Sequence, residues 1–282
     1  ARAIGTDAFA TIQAAVNAAQ AGQTIRVYAG TYMENVTINK NVTLRSNQGR
    51  EVTTIQGVSG AGSLGSVVVT SNTTGVRIGT ANGGFTILGI DNGAPGIENA
   101  AVYFQGSHSN AIIQGNEIVA QGDHGLLTEF GATISNFVID SNVFSGQTFL
   151  GNQPGGIGFA TQFSTPNVPR QLVVMGGGAG GGNTSNITFT NNTVTGNAGG
   201  ISSQDNVSQQ GNTLVTIDSN GATITGNTFA GSTARFATSL RARGPSTTIT
   251  GNTFNSQGLM PQLTGQVFVQ NTGQTLASGQ YL

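Results

Sequence analysis

The chain has no cysteine and no tryptophan, and only 7% of its residues are charged. Without cysteine it can form no disulfide and carry out no thiol chemistry. No apolar run reaches the 18 residues that a transmembrane helix needs, so we predict no membrane span. The 10 basic residues are scattered, except for Arg235, Arg241 and Arg243. We therefore expect no nucleic-acid partner, because phosphate binding needs clustered cations.

What the chain does contain is glycine, 44 residues of it, together with Asn, Thr and Ser between short runs of Val, Ile and Phe. Hydrophobic residues make up 37% and the formal net charge is −1, a combination that excludes an intrinsically disordered chain. The composition is uniform and shows no linker, so residues 1–282 are predicted to form a single domain. The polar, charge-poor surface that this composition implies favours an extracellular or cell-surface location.

One helix is predicted, over residues 7–21, and it is followed by strands. Thr6 or Asp7 is the predicted N-cap, and Gly22 is the predicted end of the helix. Beyond Gly22 the apolar period changes from 3.6 to 2, as expected where strands begin. The apolar stripe of the helix consists of Phe9, Ile12, Val16 and Ala19.

The first part of the chain resembles the pectate-lyase-like superfamily, which includes pectin methylesterases and many bacterial surface proteins. Three segments carry the resemblance: Phe9–Gln20, Thr24–Tyr28 and Gly30–Ile38. In that superfamily a helix covers the N-terminal end of a right-handed parallel β-helix, so the resemblance implies this all-β fold. It leaves the activity open, because the superfamily hosts lyases, hydrolases, esterases, epimerases and non-catalytic adhesins.

A repeat is visible when the chain is aligned on five asparagines. An apolar residue stands three positions before each of them and another stands two positions after it. Their spacings of 26, 50, 35 and 25 residues predict coils of about 25 residues, with two coils in the second gap and an inserted loop in the third. About ten such coils would occupy residues 24–282. The five asparagines are Asn116, Asn142, Asn192, Asn227 and Asn252.

These asparagines are interpreted as a structural stack at a corner between two strands. Asn tolerates a positive φ at a sharp bend, and stacked coils would place the side-chain amides in line for hydrogen bonding. The alternative fold is a β-sandwich with Asn-Gly hairpins. It accounts for neither the return every 25 residues nor the N-terminal helix, so the β-helix is preferred.

Candidate catalytic residues are few. The densest polar cluster contains Asp123, His124 and Glu129, which are the candidates for a carboxylate and imidazole site. Counting along equal coils places Glu129 and Asp205 on one face, but about three coils apart, too far for a catalytic pair. We favour the interpretation that all of these are solvated loop residues. No metal site is predicted, and Ca²⁺ is expected only if the chain is a lyase.

Two functions are compatible with these features. The preferred prediction is a non-catalytic structural or adhesive protein, because convergent charged groups are scarce. No amphipathic helix follows the strand at residues 266–270, which predicts end-to-end association of copies or a further C-terminal module. The alternative is a lyase or hydrolase that acts on an acidic polysaccharide, suggested by the superfamily resemblance. The long excursion over residues 147–183 is the predicted binding surface.

Overall fold

A computed structural model describes eleven stretches of the chain, and its strands wind into a parallel β-helix. All 23 strand pairings that it defines are parallel, which confirms the predicted right-handed β-helix and excludes an antiparallel sandwich. The described residues are 8–60, 62–70, 72–90, 99–121, 124–129, 131–146, 171–175, 184–195, 213–230, 238–255 and 267–270.

Three sheets of eight strands and one short sheet of three strands run along the helix axis. Sheet I contains β1 Thr24–Val27, β4 Thr43–Ser46, β7 Arg77–Ile78, β11 Ile112–Gln114, β15 Val138–Asp140, β19 Thr188–Thr190, β22 Thr223–Thr225 and β25 Thr248–Thr250. Sheet II contains β2 Gly30–Met33, β5 Thr53–Gln56, β8 Thr86–Leu88, β12 Glu117–Ala120, β16 Val143–Gly146, β20 Thr193–Thr195, β23 Thr228–Ala230 and β26 Thr253–Asn255.

The remaining strands form sheets III and IV. Sheet III contains β3 Val36–Ile38, β6 Gly65–Val69, β9 Ala100–Phe104, β13 His124–Thr128, β17 Gln171–Met175, β21 Thr213–Asp218, β24 Thr238–Arg243 and β27 Val267–Gln270. Sheet IV contains β10 His108–Ser109, β14 Ile134–Ser135 and β18 Thr184–Ser185. One full coil therefore crosses sheets IV, I, II and III in that order.

The core lies between the sheets and is filled by alternate residues of each strand. In sheet I, Ile113, Ile139 and Phe189 are paired in register and fully buried. Their strand neighbours are only partly buried, the period-2 pattern of a sheet with one face in the core. Phe144 stacks on Phe189 with 6.0 Å between ring centroids.

The 50-residue spacing between Asn142 and Asn192 holds one coil, so the prediction of two coils there is wrong. Strand β15 pairs directly with β19, and the Asn142 backbone N–H donates to Asn192 Oδ1 at 2.9 Å. These bonds leave no room for a coil in between. The extra length lies in the connections on either side of β17, so dividing the chain by a fixed period overcounts coils.

The capping helix α1 covers Ile12–Ala18 and is shorter at both ends than residues 7–21. Thr11 is the N-cap, with its hydroxyl accepting from the Ala14 N–H. The Glu34 carboxylate accepts from two further N–H groups of the first turn, those of Ile12 and Gln13, both at 2.8 Å. These donors have no partner inside a helix, so this external cap fixes the start of α1.

The other end of α1 also departs from the prediction. The chain becomes extended at Ala19, and Gly22 lies in the turn beyond it with φ of 85°. The Lys40 ammonium group donates to the carbonyl oxygens of Asn17 and Ala19, which a helix leaves unpaired at its C-terminal end. Ile12 and Val16 are buried against the first coil, and α1 thereby covers the N-terminal end of the core.

The five asparagines of the repeat stand in line at the corner between sheets I and II. Asn142 Oδ1 accepts from both the backbone N–H and the Nδ2 of Asn116, at 3.0 and 3.1 Å. The same pair of bonds links Asn142 to Asn192, Asn192 to Asn227 and Asn227 to Asn252. The first four are at most 1% exposed, so the stack replaces water as the partner of these buried polar groups.

The stacked asparagines do not themselves have positive φ, contrary to the reason predicted for them. The left-handed residue of each corner is the one before, for example Gly115 at 71°, Ser141 at 57° and Asn191 at 54°. The bend is thus made by one residue, and the next residue, in ordinary backbone geometry, turns its amide into the coil. The positive φ and the stacking of amides, which the sequence pattern assigned to the asparagine alone, thus belong to two consecutive residues.

A second asparagine stack lies six residues before the first, at the corner that follows sheet IV. Asn136 Nδ2 donates to Asn110 Oδ1 at 3.1 Å, and Asn186 Nδ2 donates to Asn136 Oδ1 at 3.0 Å. All three are exposed and have φ of 55°. Gly221 and Ser246, also at positive φ, take the same place in the next two coils. This is the stack in which Asn is used for its tolerance of left-handed backbone.

Candidate functional site

The predicted polar cluster is not brought together by the fold. Asp123 lies outside the described residues. His124 begins β13 and Glu129 directly follows it, so the two are about 16 Å apart along an extended strand. His124 is 5% exposed and is paired in register with Ala100 and Gln171. An imidazole and a carboxylate at opposite ends of one strand cannot act on the same atom.

Glu129 is held in place by the neighbouring coil. Its Oε2 accepts from the Gly106 N–H at 2.6 Å, and its backbone N–H donates to the Phe104 carbonyl oxygen at 2.9 Å. The carboxylate is half-buried. A charged acceptor on a backbone donor makes a strong bond, so the position of Glu129 is well defined.

The other histidine, His108, is buried and serves the fold. Its Nδ1 accepts from the Thr73 N–H at 3.2 Å, and its Nε2 lies 2.9 Å from the Gln105 carbonyl oxygen. The ring packs edge-on against Phe104 with 5.3 Å between centroids. Burial lowers the pKa of His108 below its usual value, although the Gln105 carbonyl and the Glu129 carboxylate act in the opposite direction. The ring therefore favours the neutral form, with its proton on Nε2.

A column of polar residues runs across sheet III at the C-terminal ends of its strands. In five coils, a polar residue at the end of the sheet III strand or directly after it stands three positions after an apolar residue, and these apolar residues belong to a single in-register row. The apolar row is Val102, Leu126, Val215, Leu240 and Val267, with Val173 of β17 between the second and third. The polar column is Gln105, Glu129, Asp218, Arg243 and Gln270.

Asp218 is the buried carboxylate of this polar column. It ends β21, is 1% exposed and is paired in register with Arg243 of β24. A carboxylate is almost never buried without compensating charge or hydrogen bonds. Arg241 stands two residues earlier, and the two arginines alternate with the buried Leu240 and Ala242. Because only β17 separates β13 from β21, the Cα atoms of Glu129 and Asp218 are about 10 Å apart.

The longest connections of the chain all enter sheet III. Each joins a strand of sheet II to the next strand of sheet III: 89–99, 147–170, 196–212 and 256–266. Loops of this kind commonly carry binding residues on a rigid scaffold. The predicted binding excursion, residues 147–183, lies outside the described residues except for β17, which pairs between β13 and β21. It is thus interrupted by a strand of sheet III.

A second carboxylate cluster surrounds Asp140 on the outer face of sheet I. Its two oxygens accept from four side chains: Gln114 at 2.9 Å, Ser141 at 2.9 Å, Thr190 at 2.8 Å and Asn191 at 2.9 Å. Burial raises the pKa of Asp140, but the four hydrogen bonds outweigh it, and the pKa is lowered overall. All of the donors belong to the fold, so this carboxylate links three coils.

Searches of the described ranges for two other features gave no candidates. In those ranges no three His, Asp or Glu side chains are grouped as a metal site would require. In the same ranges no helix has the length and apolar character needed to cross a bilayer. The chain end, predicted to associate or to carry a further module, lies outside the described residues apart from β27.

Sequence reasoning missed the pairing of Asp218 with Arg243. Counting from the stacked asparagines assumed equal coils, and it therefore matched Glu129 with Asp205. Asp205 lies outside the described residues. The signal present in the sequence was the alternation Leu240, Arg241, Ala242, Arg243, which puts two arginines on one side of a strand. Their register with an aspartate needs the strand pairing.

Solved structures of carbohydrate-active enzymes share this fold, whereas no protein-family model and no curated protein matches the chain. Pectin methylesterase from carrot is 12% identical with a TM-score of 0.53, over 95% of this chain and 88% of that one. A pectin methylesterase variant in complex with a hexasaccharide is 14% identical with a TM-score of 0.50, over 96% of this chain and 87% of that one. At such identities the similarity establishes the fold alone.

The comparison corrects the preferred functional prediction. The prediction of a non-catalytic structural or adhesive protein is wrong, because solved structures that match nearly the whole chain include carbohydrate-active enzymes. The scarcity of charge that motivated the first prediction is real, since only 7% of the residues are charged.

Proposed function

We propose that this chain is a carbohydrate-active enzyme that cleaves an acidic polysaccharide, as a lyase or a hydrolase, along the polar column of sheet III. The observation that carries the proposal is the register of Asp218 with Arg243, in the same column as Glu129. Two carboxylates are the acid and base that glycoside hydrolysis commonly uses, and an arginine can bind the carboxylate of an acidic sugar. The pectin methylesterases that share the fold support a polysaccharide substrate.

The roles follow from the chemistry of these groups. An arginine at position 241 or 243 would bind the carboxylate of an acidic sugar through two parallel N–H···O bonds. That interaction would position the sugar and offset the charge that develops when a proton leaves the carbon beside its carboxylate. Glu129 or Asp218 would accept or donate the proton. The Cα separation of about 10 Å allows the two carboxyl groups to take opposite sides of a glycosidic bond.

Degradation of polygalacturonate and alginate tests the proposal. New reducing ends with the ultraviolet absorbance of an unsaturated sugar would identify a lyase, and new reducing ends without it a hydrolase. Parallel reactions with Ca²⁺ and with a chelator test the Ca²⁺ dependence predicted for a lyase. Release of methanol from methylated pectin, without any chain cleavage, would contradict the proposal.

Variants of the polar column give the second test. Glu129→Gln, Asp218→Asn and Arg243→Gln should each lower the rate by at least about a hundredfold. The matched control is Glu117→Gln, which changes a half-buried glutamate of sheet II in the same way and should keep full activity. Circular dichroism must show that the buried Asp218→Asn variant folds. Equal activity in all four variants would place the chemistry elsewhere.

An extracellular or cell-surface location belongs to the same proposal. Large polysaccharides are met outside the cell, and a charge-poor surface rich in Asn, Thr and Gly suits that setting. Fractionation of cells that produce the natural protein should place it in the medium or on the surface. Recovery in the cytoplasm alone would contradict this part of the proposal.

A further inference from the structure

Three arginines lie together on the outer face of sheet I, at its N-terminal end. Arg26, Arg45 and Arg77 belong to the first three strands, β1, β4 and β7, and each stands between buried residues. Arg26 and Arg45 are directly paired in register, and Arg77 is on the next strand, diagonal to Arg45. We call these three residues the arginine patch.

Among the residues that the structure describes, none with a negative charge adjoins the arginine patch on the outer face of sheet I. Strands β1, β4 and β7 contain no acidic residue. Asp140, the first acid along sheet I, lies two strands beyond β7 and already accepts four side-chain hydrogen bonds. Within the described part of the chain, the single ion pair joins Arg50 to Glu51. Like charges in register across two strands destabilise a sheet, so Arg26 and Arg45 carry a local cost that an anionic ligand would remove.

An exposed aromatic ring and a groove adjoin the arginine patch. Tyr28 stands two residues after Arg26 and is 51% exposed. A groove of about 580 Å³ runs between α1 and β1, and its lining includes Thr24, Arg26, Tyr28 and Tyr32. A phenol ring offers a flat apolar surface on which the apolar face of a sugar ring can pack. The surface thus combines cations with a platform for a ring.

We infer that the arginine patch and Tyr28 form a binding site for an acidic polysaccharide, separate from the polar column of sheet III. Guanidinium groups recognise carboxylates with matching geometry, and successive strands repeat them at about 4.8 Å along the axis. A duplex nucleic acid fits less well, because it requires many phosphate contacts and the whole chain has a net charge of −1. The site would hold a polymer on one face while another face carries the chemistry.

Binding of uronate oligosaccharides prepared from polygalacturonate tests the inference, by calorimetry at two salt concentrations. The triple variant Arg26→Gln, Arg45→Gln, Arg77→Gln should bind about tenfold more weakly and with less salt dependence. Tyr28→Ala should weaken binding about threefold and leave the salt dependence unchanged. Arg50→Gln is the matched control: like Arg45, Arg50 is half-buried and donates to a backbone carbonyl, but it lies on the corner before sheet II.

Three results would overturn the inference. One is equal affinity of the triple variant and the wild-type chain, and another is no preference for uronates over neutral dextran. The third is tighter binding of duplex DNA than of the uronate. Each of these variants, and the reference chain, also carries Asp218→Asn, so that the oligosaccharides are not cleaved while their binding is measured. If the triple variant loses binding but the wild-type chain releases no product in the degradation assays, the binding site is supported and the proposed activity is not.

Discussion

The side-chain oxygen of Asn142 accepts two hydrogen bonds from Asn116, one from the backbone N–H at 3.0 Å and one from Nδ2 at 3.1 Å. A single buried oxygen therefore accepts from both the backbone and the side-chain N–H groups of the asparagine in the preceding coil. Asn142 Nδ2 in turn donates to the Ile113 carbonyl oxygen at 2.8 Å and to Asn192 Oδ1 at 3.1 Å. Each member of the stack links to the coils on both sides.

Replacing Asn142 by alanine should lower the free energy of unfolding by about 3 kcal/mol, since it leaves buried donors and acceptors on three coils without partners. Urea unfolding followed by circular dichroism measures the change. The control is Asn252→Ala, at the half-buried end of the stack, where the loss should be about 1 kcal/mol. Equal losses at the two positions would mean that burial does not set the strength of the stack.

Asn136 is used for its backbone conformation, so its replacements should rank by tolerance of positive φ. Its φ is 55° and its side chain is exposed. Asn136→Gly should keep the stability of the wild type within about 0.5 kcal/mol, whereas Asn136→Val should lose about 2 kcal/mol. Thermal unfolding compares the two. A valine variant as stable as the glycine variant would contradict the assignment.

The sequence contained the repeat but not the register of the long coils. Apolar residues at fixed distances from Asn116 and Asn142 were enough to predict the coil, because the strands on either side of each corner are in register and bury equivalent positions in the core. The second stack was also readable, since Asn110 and Asn136 stand six residues before those two. The pairing of Asp218 with Arg243 was not, because it depends on how much chain the preceding connections take up.

The helix illustrates a different limit of prediction. The apolar spacing of Ile12 and Val16 was read correctly, but the ends of α1 depend on groups distant in sequence. Glu34 supplies the cap for the first turn, and Lys40 the donors for the last. The local sequence around Asp7 and Gly22 predicted a longer helix, but the contacts with Glu34 and Lys40 determine where α1 begins and ends.

Asp140 should make stability depend on pH in the acid range. Its pKa in the folded chain is below the ordinary value of 3.8, because burial raises it less than four hydrogen bonds lower it. The carboxylate thus contributes stability above the unfolded pKa, and this contribution is lost as the pH falls through the folded pKa. Urea unfolding between about pH 6 and about pH 2.5 should show a smaller loss in Asp140→Asn than in the wild type. Equal pH dependence of the free energy of unfolding in the two chains would show that the hydrogen bonds to Asp140 do not stabilise its charged form.

His108 should add a separate dependence nearer neutral pH. Burial, the largest influence, holds the pKa of His108 below 6.5, so the folded chain favours the neutral ring. A depressed folded pKa gives stability that is present above the unfolded pKa and is lost as the pH falls through the folded value. Protonation would place a proton on Nδ1, which now accepts from the Thr73 N–H at 3.2 Å. The free energy of unfolding of the wild type should therefore fall between about pH 7.5 and about pH 5.

The variant His108→Gln isolates this effect, because glutamine does not titrate and retains both a donor and an acceptor. Its stability at pH about 7.5 should be lower than that of the wild type, since the edge-on packing of the ring against Phe104 is lost. The difference between the two chains should shrink as the pH falls, because only the wild type has a ring to protonate. A difference that stays constant over this range would show that the neutral form of His108 contributes nothing to folding.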